Sequence, residues 1–82
     1  MPIVLRAKGY RVSFYEADLE EPPHVHVRKG SGEAKFWLDP IVLSRSRGYR
    51  EHELNEIARL LDDHRNEILE AWSNEEAKRG NR

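Results

Sequence analysis

His24-Val25-His26-Val27-Arg28 alternates polar and apolar residues without a break. Successive side chains of a β-strand point to opposite faces, so this is the pattern of a half-buried strand. Lys29-Gly30-Ser31-Gly32 follows as a glycine-rich loop, and Ala34-Lys35-Phe36-Trp37-Leu38 returns. The predicted hairpin constrains everything around it. Pro22-Pro23 continues neither a helix nor a paired strand and opens the hairpin segment. Upstream, Ile3-Val4-Leu5 leads into the turn signal Lys8-Gly9. Residues 10–15 then alternate, with Tyr10, Val12 and Phe14 on one side and Arg11, Ser13 and Tyr15 on the other. Downstream, Asp39-Pro40 reads as a turn and Ile41-Val42-Leu43 as a short edge strand. Residues 44–48 read as a flexible, basic loop.

The second half changes period. Leu54, Ile57, Ala58, Leu61, Ile68, Leu69 and Trp72 recur at three- and four-residue steps and form one apolar helical stripe. A single helix over residues 50–76 would be about 40 Å long at about 1.5 Å per residue. A break near Asp62-Asp63 is the alternative. Residues 77–82 read as a frayed polar tail. The expected fold is therefore α+β: a four- or five-stranded antiparallel meander over residues 2–43, then one long C-terminal helix packed on one face. With 82 residues, the chain reads as a single domain, 1–82, with a marginal core. A homo-oligomer or a small partner protein would supply the missing burial.

Composition excludes several classes. There is no cysteine, so neither a disulfide scaffold nor a thiolate site is available. No apolar run approaches the roughly 20 residues of a membrane span, and no signal peptide is read, so a cytoplasmic location without membrane contact is expected. The net charge of -1, from 14 basic and 15 acidic residues, is not that of a polycation. Any nucleic-acid binding must come from local patches. Glu16, Asp18, Glu20 and Glu21 make an acidic stretch, and Arg28, Lys29, Lys35, Arg45, Arg47 and Arg50 a basic one that holds only Glu33 and Asp39 as acids.

If Val12, Phe14, Val25, Val27, Ala34, Phe36 and Leu38 face the helix, the other sheet face carries Arg11, Ser13, Tyr15, His24, His26, Arg28, Lys35 and Trp37. No carboxylate is expected on that set. Aromatics interleaved with cations suit a protein interface, where Trp, Tyr and Arg are the usual anchors. They also suit stacking of unpaired RNA bases, or they form an ordinary solvated face. His24 and His26, at i and i+2 on that face beside Arg28, are the candidate catalytic groups. Imidazole can serve as acid or base on a phosphodiester, with Arg28 or Lys35 stabilising phosphate charge. The same pair could hold a divalent metal, with His64 as third ligand, reached across a sheet edge or from a second subunit. A plain binding role needs no cofactor. Arg45 and Arg47 in the basic loop could contact phosphate. Arg65 lies inside the apolar stripe between Leu61, Ile68 and Leu69. A buried guanidinium without a partner is costly, so either the helix breaks there, or the stripe opens to a partner, or Arg65 pairs with a carboxylate such as Asp39. His52 lies on the polar side of the helix and should be solvated.

The strings Pro22-Pro23-His24-Val25-His26-Val27-Arg28-Lys29-Gly30, Ala34-Lys35-Phe36-Trp37-Leu38-Asp39-Pro40 and Ser44-Arg45-Ser46-Arg47-Gly48, with His64-Arg65 and Trp72, together resemble the family called domain of unknown function 4160. The positions that match its pattern are His24, His26, Gly30, His64 and Trp72. The resemblance implies a small prokaryotic protein whose gene often neighbours another small uncharacterised family, and hence a toxin–antitoxin-like pairing with a partner from the same operon. It brings no catalytic residues. One departure is Arg50, where similar proteins carry a small polar residue three positions before Glu53. A capping box needs an acceptor side chain there, so the helix start is expected to be irregular.

Overall fold

The computed structural model describes residues 3–14 and 20–80. Five strands come first: β1 (Ile3–Ala7), β2 (Tyr10–Ser13), β3 (His24–Lys29), β4 (Gly32–Leu38) and β5 (Ile41–Arg47). Two helices follow, α1 (Glu51–Asp63) and α2 (Arg65–Gly80). The strands form one antiparallel sheet in chain order, a five-stranded meander. The α+β class is as expected; the single long helix is not. The chain breaks at His64, whose φ of -112° and ψ of 14° leave the helical region. That is the alternative break, one residue beyond Asp62-Asp63. Aspartates are weak helix formers, and carboxylates at a helix C-terminus oppose its dipole. No basic residue sits in the last turn of α1 to offset them.

Three further boundaries differ from the expected ones. The segment read as a basic loop is strand, since β5 runs on to Arg47. The helix passes residue 76 and ends at Gly80. And α1 starts regularly despite Arg50. Glu53 Oε1 accepts a hydrogen bond from the Arg50 N–H at 2.9 Å, half of a capping box. A guanidinium offers no acceptor for the other half. The Glu53 N–H bonds the Arg50 carbonyl instead, at 3.0 Å.

The core lies between one sheet face and the helices. Val12, Val25, Val27, Phe36 and Leu38 bury completely or nearly so against Ile57, Leu60, Leu61 and Ile68. The face assigned by alternation is the buried one, and the helical stripe meets it. Leu60 and Tyr10 join this core. A second, separate cluster consists of Phe14 and Trp72, with ring centroids 5.0 Å apart.

One corner ties β5 to the hairpin. Tyr49 lies over Gly32, and its hydroxyl donates to the Gly32 carbonyl at 3.2 Å. A Cβ on Gly32 would sit 2.7 Å from the Tyr49 ring, so only glycine permits this contact. Gly48 turns the chain into place at a φ of +82°, where glycine is at no disadvantage.

Candidate binding face

The outward sheet face is set by register. His24 pairs with Trp37, His26 with Lys35, Arg28 with Glu33, and Ser13 with His26. Across the next ladder Trp37 pairs with Val42, Lys35 with Arg45 and Glu33 with Arg47. The sequence therefore grouped Arg11, Ser13, His24, His26, Arg28, Lys35 and Trp37 correctly, and the extended β5 adds Val42, Arg45 and Arg47. Tyr15 lies outside the described residues.

Two expectations about this face fail. The first is the absence of carboxylates. Glu33 stands on it, with Oε1 3.1 Å from Arg47 and Oε2 3.8 Å from Arg28. Alternation from Ala34 places Glu33 there, so the sequence contained the signal. Glu21 reaches the face from outside the strands, and its Oε1 lies 3.1 Å from the Lys35 amine. Lys35 also stands over the Trp37 ring, 4.6 Å from its centroid. Each of Arg28, Lys35 and Arg47 is thus within ion-pair distance of a carboxylate.

The second failure concerns His24, which is not exposed but fully buried. The Trp72 ring packs on it at 5.4 Å, with Trp37 at 5.4 Å and His26 at 5.3 Å. Its Nδ1 lies 2.9 Å from the Pro22 carbonyl oxygen. A straight helix on the inner face would leave the outer face open. In the folded chain, Trp72, on the helix beyond the break, lies against His24. His24 belongs to the packing of this end of the molecule, whereas His26 is half-buried and lines a cleft.

His64 does not join the pair. It caps α1, has Nδ1 3.4 Å from Glu67 Oε2, and lines a different cleft with Lys8, His52 and Glu56. Among the described residues no three His, Cys, Asp or Glu side chains converge as metal ligands. Within one chain the three-histidine site is therefore not formed. His52 is exposed, as its place on the polar side of the helix requires. Arg65 pairs with Asp39, at 2.8 Å between Nη2 and Oδ1, and the helix breaks beside it at His64, so two of the three readings hold.

Two clefts adjoin along the β4–β5 side of the face. One, of about 220 Å³, is lined by His26, Arg28, Glu33, Lys35, Arg45 and Ser46. The other, of about 270 Å³, is lined by Pro22, Pro23, Trp37, Asp39, Pro40 and Val42. The first is polar and mostly basic, the second mostly apolar. Val42 and Leu43 are the exposed large hydrophobic residues, at 48% and 39%. The sequence reading missed this pairing of clefts because it ended the last strand at Leu43. Only the fold shows that Val42 stands beside Trp37.

The architecture defines a class first: a small α+β domain, an antiparallel meander backed by two helices. The model of a family described as Domain of unknown function (DUF4160) matches residues 9–73. The chain belongs to that family. No curated protein and no solved structure matches it. No helix among the described residues is long and apolar enough to cross a membrane.

Proposed function

We propose that this chain is a protein-binding module, one half of a toxin–antitoxin-like pair, and that it engages its partner through the β4–β5 side of the outward face. The observation that carries this reading is the apolar cleft at Trp37 and Val42 lying beside the basic cleft at His26, Lys35 and Arg45. An aromatic anchor next to a polar, charged rim is the anatomy of a protein interface. The gene pairing itself rests on the family resemblance.

The same geometry weighs against the two nucleic-acid readings. Base stacking needs a free aromatic face, and a nucleic-acid backbone needs a run of cations not already shared with carboxylates, more than the small surplus left here. Here Lys35 stands over Trp37, Glu21 neutralises Lys35, and Arg28 and Arg47 share Glu33. Acid–base catalysis by two histidines needs both at the surface, and His24 is buried under Trp72.

The test is purification of the tagged chain from its native operon, with bound protein, RNA and metal measured on one sample. The expected result is the product of the neighbouring gene, retained after nuclease treatment and lost with Trp37→Ala. Stoichiometric RNA, or RNA cleavage that His26→Gln abolishes, would overturn the reading.

A further inference from the structure

β5 is an edge strand, with β4 on one side and no strand on the other among the described residues. An unpaired edge presents a row of backbone donors and acceptors that a second chain can pair with. β5 is seven residues long, and every residue after Ile41 is exposed. Arginines commonly discourage such pairing, but here they occupy only one end. The strand reads Ile-Val-Leu and then Ser-Arg-Ser-Arg, apolar first and cationic after.

We propose that β5 takes up an extended acidic segment of the partner protein as an added strand, with apolar β-branched residues beside Val42 and Leu43 and carboxylates beside Arg45 and Arg47. This rests on reading the outward face as a protein-binding surface, and it states how that surface is occupied. Strand addition draws affinity from backbone hydrogen bonds and specificity from alternate side chains. The alternate side chains here are Val42, Arg45 and Arg47, which border the two clefts or pair with residues that line them.

Charge decides the occupant. Arg28 and Arg47 share the single carboxylate of Glu33, and Arg45 adds a third guanidinium to this end. A surplus of positive charge remains for an incoming acid. The β5 strand of a second copy supplies none: it holds no carboxylate and would add a second Arg45 and Arg47 to the cations already there. An acidic strand meets every cation with a carboxylate, and complementary charge also steers the encounter.

A display library of random nine-residue peptides, selected at low salt on the purified full chain, tests the proposal. Selected sequences should combine two or more Asp or Glu with Val, Ile or Thr. Synthesised winners should bind at least tenfold more weakly to Arg45→Glu/Arg47→Glu. Replacing their acids with lysine should restore binding to that variant, which also shows that it folds. Amide hydrogen exchange should slow at residues 42–47 when a winner binds. Neutral or basic winners, winners indifferent to the double variant, or no winners at all would overturn strand addition. So would a dimer of the free chain, seen by light scattering and dissociated by the same variant, which assigns the edge to a second copy. In the native operon, a partner lost with Trp37→Ala but kept by Arg45→Glu/Arg47→Glu overturns strand addition alone. A partner kept by both variants overturns the face as well.

Discussion

β4 and β5 are neighbours in one sheet and equally long, yet they meet different surroundings. Along β4 buried and half-buried residues alternate from Gly32 to Leu38. Along β5 only Ile41 is even partly covered. β4 is flanked on both edges, and helices cover its inner face. β5 is paired on one edge, and every residue after Ile41 is exposed. A strand in the middle of a sheet is held by its surroundings, whereas the last strand is free to be held by something else. The comparison places stability in β3 and β4, and β5 is where the proposed recognition would fall.

The largest effect should separate these two strands directly. Phe36→Ala removes a buried ring from β4 and should cost about 3 to 5 kcal/mol, enough to unfold a domain this small. Val42→Thr on β5 should change stability by less than about 0.5 kcal/mol. Thermal melts followed by circular dichroism read both, and comparable losses would break the comparison.

Within β3 the two histidines should part in the same way. Burial of His24 under Trp72, with Nδ1 at the Pro22 carbonyl oxygen, predicts a loss of about 1 to 3 kcal/mol for His24→Gln. His26→Gln should leave the melting temperature within a degree or two and weaken partner binding. Binding to the co-purified partner, measured by calorimetry, separates the roles. Changing both histidines at once, His24→Gln with His26→Gln, would mix a packing defect with a surface change.

The corner that anchors β5 gives the next effect. Tyr49→Phe removes the hydroxyl bonded to the Gly32 carbonyl and should cost about 1 kcal/mol. Burial raises the Tyr49 phenol above its ordinary 10.0, with the Glu53 charge adding to the shift. Burial, and then Glu56, does the same for Tyr10. A group that holds its proton more tightly when folded contributes full stability below its unfolded pKa. That contribution falls as pH rises from about 10 toward the folded value. Urea midpoints between pH 8 and 11 should therefore drop above pH 10, less steeply in Tyr49→Phe.

The smallest effect belongs to Asp39→Asn. It breaks the Arg65 pair, but both partners are well exposed, at 41% and 68% of their side chains. A pair of that kind contributes about 0 to 1 kcal/mol, less in salt. A loss well above that, by urea denaturation, would mean that Asp39 and Arg65 govern the break between the helices.

Much of this was legible in residue order. Strict alternation in His24-Val25-His26-Val27-Arg28 specified a strand and its two faces, because the pleat has a period of two. The stripe through Ile57, Leu61, Ile68 and Trp72 specified helical structure and the side it buries, though not that it is two helices. A cation at Arg65 within that stripe left three readings open, and pairing with Asp39 was one of them. Glu33 was equally legible but overlooked.

Other features belonged to the tertiary structure alone. The fate of His24 depends on Trp72, 48 residues downstream on the second helix, which packs against it. No local pattern around His24 encodes that contact. β5 carries on through Ser44-Arg45-Ser46-Arg47 because backbone pairing with β4 overrides a loop-like composition, as strand propensity yields to context. The joining of an apolar and a basic cleft arises only when Val42 pairs with Trp37 and Arg45 with Lys35. Periodicity reports which way a side chain points from its own element. What it meets there depends on residues distant in the chain, and those distances close only on folding.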